Sequence, residues 1–141
     1  MKTLLVSLAI LLLATPAAAQ APHTSHNDRY TDPELDVDHM ISRFENEGRE
    51  VFALREEIVT AAGIRPGEVV ADVGAGTGAF LEPLVAAVGQ TGHVVAVEIS
   101  IRFVEHLRQV ADEAGYPNVT TVFSSFTSAT LPPASVDKIV L

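Results

Sequence analysis

Between residues 69 and 79 the chain runs from an apolar stretch to an acid and then to three alternate glycines, Val69-Val70-Ala71-Asp72-Val73-Gly74-Ala75-Gly76-Thr77-Gly78-Ala79. The apolar stretch suits a strand covered on both faces, and the glycines suit a tight turn that takes positive φ with no Cβ in the way. A helix-like stretch over residues 79–88 follows, with Pro83 early enough to be tolerated. Strand, glycine turn and helix N-terminus in that order leave free backbone amides facing a ligand that can approach the main chain closely. Three glycines in five residues exceed what a purely structural turn requires.

The rest of the chain alternates in the same way. Apolar runs at 68–73, 93–97, 119–123 and 136–141 read as strands. Between them, residues 101–114 carry Val104, Leu107, Val110 and Ala111 on one side of a helix that ends near Gly115. Ahead of the first strand, Val37, Met40, Ile41 and Phe44 fall at i, i+3, i+4 and i+7, with Asp36 or Asp38 as the cap and Gly48 as an interruption. A second helical stretch places Val51, Leu54, Ile58 and Ala62 on one face, and Gly63 and Pro66-Gly67 end it. Strands separated by helix-length segments imply βαβ units. The expected fold is α/β, a Rossmann-like doubly wound parallel sheet, incomplete at four strands, with N-terminal helices.

The first 35 residues read differently. Met1-Lys2, an apolar run over residues 4–13 and Ala17-Ala18-Ala19 have the form of a secretory signal peptide, residues 1–19, cleaved after Ala19. The mature protein is then exported, periplasmic or secreted; left uncleaved, the segment would instead anchor the chain at its N-terminus, although the run is short for a membrane span. Residues 20–35 are polar and aperiodic, with Pro22 and Pro33, and read as a linker in which His23 and His26 lack the further ligands of a metal site. Residues 36–141 form the folded domain, a length suited to one core. The net charge of −9, more negative once Lys2 is lost, opposes binding to nucleic acid and to anionic membrane surfaces. With no cysteine, disulfides, thiolate metal sites and a lipoprotein anchor are all excluded.

Two ligand classes fit the glycine turn. Gly74 to Ala79 satisfies the dinucleotide fingerprint in its G-x-G-x-x-A form, which leaves an NAD(P)-binding oxidoreductase domain as an alternative. Asp72 argues against it, because a carboxylate there repels a pyrophosphate and suits a ligand carrying an ammonium or a sulfonium. S-adenosylmethionine carries both and has no phosphate. Glu98, at the tip of the second strand, is placed to accept hydrogen bonds from ribose hydroxyls and serves either class.

Residues 69–79, 94–100 and 131–141 together resemble, in order and spacing, the cofactor half of class I S-adenosylmethionine-dependent methyltransferases. The resemblance implies that Asp72, Gly74, Ala75, Gly76 and Gly78 hold the methionine end of the cofactor. It places Glu98 on the ribose, with Ile99 beside the adenine, and Ser125 with Phe126 over the adenine. Many members have Gly-Asp after the third strand where this chain has Ser124-Ser125-Phe126-Thr127, so a serine hydroxyl replaces a charged acceptor. The helices before the glycine turn resemble the family's N-terminal segment, within which Arg49 is a candidate for the cofactor carboxylate or a solvated charge. The implied activity is methyl transfer to an unidentified acceptor, with no catalytic residue identifiable. Asp137 reads as a strand-start residue. The family's sheet has seven strands, so the expectation is of a fragment, a sheet completed by a partner, or a non-catalytic remnant, with the fourth strand beside the first.

Overall fold

The computed structural model describes residues 27–141. The expected signal peptide and the first part of the linker, with His23 and His26, lie outside the described residues. Four parallel strands form one sheet: β1 (Val69–Val73), β2 (His93–Glu98), β3 (Val119–Phe123) and β4 (Lys138–Val140), in the order β3-β2-β1-β4. The fourth strand lies beside the first, as expected. Asp137 immediately precedes it: its N–H donates to the Val69 carbonyl at 2.7 Å, and its carboxylate accepts from the Val69 N–H at 2.8 Å. Among the described residues the outer edge of β4 has no strand partner, and Ile139 and Leu141 are exposed beside it.

Helix α4 (Leu81–Val88) connects β1 to β2, and α5 (Ile101–Ala114) connects β2 to β3. Pro83 is the third residue of α4, where its missing N–H is one that an α-helix leaves unbonded in any case. Val70, Val94 and Ala96 of the sheet meet Leu81, Leu84 and Val88 of α4 and Leu107 of α5 in one fully buried core. That layer gives β1 and β2 a rigid seat, with the register pairing Asp72 with Ala96 and Val73 with Val97. The strand ends that carry Asp72 and Glu98 are therefore held side by side.

The N-terminal helices depart from expectation in two places. Helix α1 (Val37–Phe44) is capped by Asp36, whose carboxylate accepts from the His39 N–H at 2.9 Å. It ends at Phe44, before Gly48, where the Asn46 amide takes up the Arg43 carbonyl at 2.9 Å. The stretch expected to bury Val51, Leu54 and Ile58 is two short helices, α2 (Glu50–Ala53) and α3 (Arg55–Ala61), meeting at Leu54, and all three residues are exposed. Of α3 it is Val59 that enters the core.

The second departure lies just before α1. Residues 28–35, expected as linker, contain a 3-10 turn (Asp28–Thr31), and Leu35 is buried. Tyr30 and Leu35 pack with Met40, Phe44 and Phe103, tying this segment to α5. Isolated anchors of this kind carry no periodicity, so a pattern reading passes over them.

The two neighbours on α3 separate these readings. Val59→Ala is expected to cost about 2 kcal/mol in urea unfolding, while Ile58→Ala is expected to change stability by less than about 0.5 kcal/mol. A larger loss at Ile58 than at Val59 would restore the amphipathic face expected from sequence.

Candidate functional site

At the C-terminal ends of the strands, where β1 separates the β2 side of the sheet from the β4 side, lies a cleft of ≈ 640 Å³. Ligands of doubly wound sheets bind at such switch points, and the volume is that of a small-molecule site. The glycine turn forms its floor. Gly74, Gly76 and Gly78 have φ of 82°, 54° and 89°. A Cβ built at Gly74 meets nothing within 4 Å, so the backbone there faces open space. Gly78 differs: a Cβ would come within 3.1 Å of Leu107 and 3.2 Å of Leu81. Its bare backbone serves helix packing, and it does not line the cleft, unlike Gly74, Ala75 and Gly76.

Glu98 ends β2 with its carboxylate buried against two turns. One oxygen accepts from the Gly76 N–H at 2.8 Å; the other accepts from Ile99 N–H at 2.7 Å and Ser100 N–H at 3.0 Å. A carboxylate offers about four acceptor positions, so one remains for a ligand hydroxyl. Glu98 therefore fastens the glycine turn to the start of α5 as well as facing the cleft. Ile99, Ser125 and Phe126 line the same space. The Ser125 N–H donates to the Ser128 carbonyl at 3.1 Å, holding the β3–β4 loop in a tight turn, while Phe126 stays exposed.

Asp72 is buried, 4 % exposed, and its Oδ2 has no hydrogen-bond partner. Burial, and secondarily the charge of Glu98, push its carboxyl up to about 7. An orphaned acceptor at this depth is costly unless a ligand supplies donors or positive charge.

Sequence reasoning singled out the helices before the glycine turn, with Arg49 among them, and missed the part that Tyr30 and Phe52 play in the same wall. Tyr30, Phe44 and Phe52 line the cleft opposite the glycine turn. Tyr30 fell in the stretch read as linker, and an aromatic in a polar segment was the one available signal. Thr77, buried within the turn, was also passed over; its carbonyl lies 3.1 Å from His106 Nε2.

A buried acid at the first strand's tip, a glycine turn open to a cleft and a second acid on the neighbouring strand define a Rossmann-like, nucleoside-binding class of domain. A family model described as "Methyltransferase domain" matches residues 70–141, just over half of the chain. The chain belongs to that family, the methyltransferases of the class I, S-adenosylmethionine-dependent type. It is similar to a protein-L-isoaspartate O-methyltransferase of Ignicoccus hospitalis, 33% identical over 84 residues, which are 60% of this chain and 40% of the relative. It also resembles a protein of the same name from Methanococcus aeolicus, 27% identical over 132 residues, 92% of this chain and 57% of that one. The crystal structure of a SAM dependent methyltransferase from Aquifex aeolicus superposes with a TM-score of 0.65 at 27% identity, covering 75% of this chain and 56% of that one. The chain thus spans about half the length of the relatives it matches.

The buried carboxyl makes stability depend on pH. Asp72 has a folded-state value of about 7 against an ordinary 3.8, so folding takes up a proton in between. The associated stability is present below the lower value and lost as pH rises through the upper one. In urea unfolding without ligand, the wild type is expected to lose roughly 2–4 kcal/mol more than Asp72→Asn between about pH 5 and pH 8. Parallel curves for the two proteins would show that Asp72 does not titrate in this range.

Proposed function

We propose that this chain is the cofactor-holding part of a methyltransferase that binds S-adenosylmethionine and presents it to a separate acceptor. The unpartnered Oδ2 of Asp72, buried beside the glycine turn, carries the reading. A pyrophosphate would face like charge at that position, whereas a ligand bearing an ammonium and a sulfonium supplies the missing counter-charge. S-adenosylmethionine provides an electrophilic methyl group on its sulfonium. The residues of this chain bind and orient: the Gly74–Gly76 backbone lets the ligand approach, Glu98 retains an acceptor position for a ribose hydroxyl, and Phe126 offers a face for the adenine. Holding a methyl group in line with a nucleophile is itself a large part of the work of such a transfer. The names of the relatives support the same reading.

Calorimetric titration of the protein with S-adenosylhomocysteine and with NAD tests it. Binding of the first and none of the second is expected, and Glu98→Ala is expected to weaken the first at least tenfold, about 1.4 kcal/mol. No binding of S-adenosylhomocysteine or S-adenosylmethionine at millimolar concentration would overturn the reading. Binding of NAD alone would favour the dinucleotide alternative.

We further propose that the domain is exported. Lys2, the apolar run over residues 4–13 and Ala17-Ala18-Ala19 support this. Terminal sequencing of protein recovered from expressing cells is expected to begin at Gln20. An intact Met1 in the membrane fraction would mean an N-terminal anchor instead.

A further inference from the structure

The Thr77–Gly78 peptide closes the glycine turn and is held at both of its polar ends. The Gly78 N–H donates to the Ala75 carbonyl at 2.9 Å. The Thr77 carbonyl points the other way, as a trans peptide requires, and lies 3.1 Å from Nε2 of His106. Among the described residues no backbone N–H takes that carbonyl. A carbonyl can only accept, so the imidazole carries a hydrogen on Nε2 and donates it. His106 stands in α5 beside Leu107, whose side chain lies 3.1 Å from where a Cβ on Gly78 would be. One helix thus grips one peptide through a polar and an apolar contact.

A second grip lies two peptides earlier, where Glu98 accepts from the Gly76 N–H at 2.8 Å. The peptide between them, Gly76–Thr77, makes no hydrogen bond of its own among the described residues, and both Gly76 and Thr77 line the cofactor cleft. Its N–H and carbonyl are therefore left for a ligand. Gly76 and Gly78 flank Thr77 at φ of 54° and 89°, and glycines by themselves resist a change of peptide direction weakly. The direction of the free peptide depends on the two side chains that pin its neighbours. His106 is half-buried and does not line the cofactor cleft; it lines a separate cleft of ≈ 420 Å³ with Leu35 and Gln109. It reaches a bound ligand only through Thr77.

We propose that His106 is a positioning residue for the cofactor: its Nε2–H holds the Thr77 carbonyl and so sets the direction of the free Gly76–Thr77 peptide. This rests on the cofactor reading above and adds to it a residue from outside the cleft.

The test joins amide hydrogen exchange of the unligated full chain, read by NMR, to calorimetry with S-adenosylhomocysteine. His106→Leu removes the donor and keeps most of the volume, whereas His106→Gln offers an amide N–H at similar reach. His106→Leu is expected to speed exchange at Gly76 and Gly78 about fivefold and to weaken the ligand about fivefold, the scale of one net hydrogen bond. His106→Gln is expected to stay within about twofold of wild type in both readings. Val94, whose N–H donates to the Asn118 carbonyl at 2.9 Å in the core, is the control amide and should not change. Unchanged exchange in the turn, unchanged affinity in His106→Leu, or equal effects of Leu and Gln would overturn the role of His106 and leave the cofactor reading standing. Wild type that binds no S-adenosylhomocysteine would remove the cofactor reading and this role with it.

Discussion

The Glu98 carboxylate joins the two turns from which the cleft is built. Its three N–H partners come from Gly76 in the first turn and from Ile99 and Ser100 in the second. Burying a carboxylate is costly, and three amide donors together with the nearby N-terminus of α5 offset that cost. Ser100 contributes again by capping α5, accepting from the Phe103 N–H at 3.4 Å. The glycine turn, flexible by composition, is thus held in one shape by an acid from the neighbouring strand. The same charge raises the cost of ionising Asp72, so the anchor of the site also tunes its neighbour.

Beneath the turns the sheet supplies rigidity and no chemistry. Val70, Val94 and Ala96 are fully buried under Leu84 and Leu107, and the parallel register brings Asp72 and Glu98 to the same end of adjacent strands. Above the turns the N-terminal segment supplies the opposite wall through Tyr30, Phe44, Arg49 and Phe52. The cleft therefore has an acidic floor and a basic, aromatic wall, with polarity fixed by elements far apart in the chain.

How much of this was legible varied with how local the cause was. The strands, a cap at Asp36 or Asp38 and the helix over Ile101–Ala114 could be read because each depends on neighbours a few residues away. The face expected of Val51, Leu54 and Ile58 failed because the helix is interrupted at Leu54, and of α3 it is Val59 that enters the core. Tyr30 and Leu35 were hidden for a different reason: their burial depends on Phe103, roughly seventy residues away, and on no local pattern. Gly78 was grouped with the ligand-binding glycines by its spacing, yet its φ of 89° and the closeness of Leu81 and Leu107 disfavour a side chain there without any ligand.

The glycine turn with Asp72 before it and Glu98 after it determined the fold class from sequence alone and narrowed the ligand to two nucleoside-containing classes, with Asp72 weighing against a dinucleotide. Positive φ, close backbone approach and the sign of a charge are properties of those residues wherever they are placed. The tertiary structure decided how they are used. It turned Glu98 into a tie between two turns, left one oxygen of Asp72 without a partner, and brought Arg49 to the same cleft. Pairing and burial are relations between distant segments, and only the folded chain sets them.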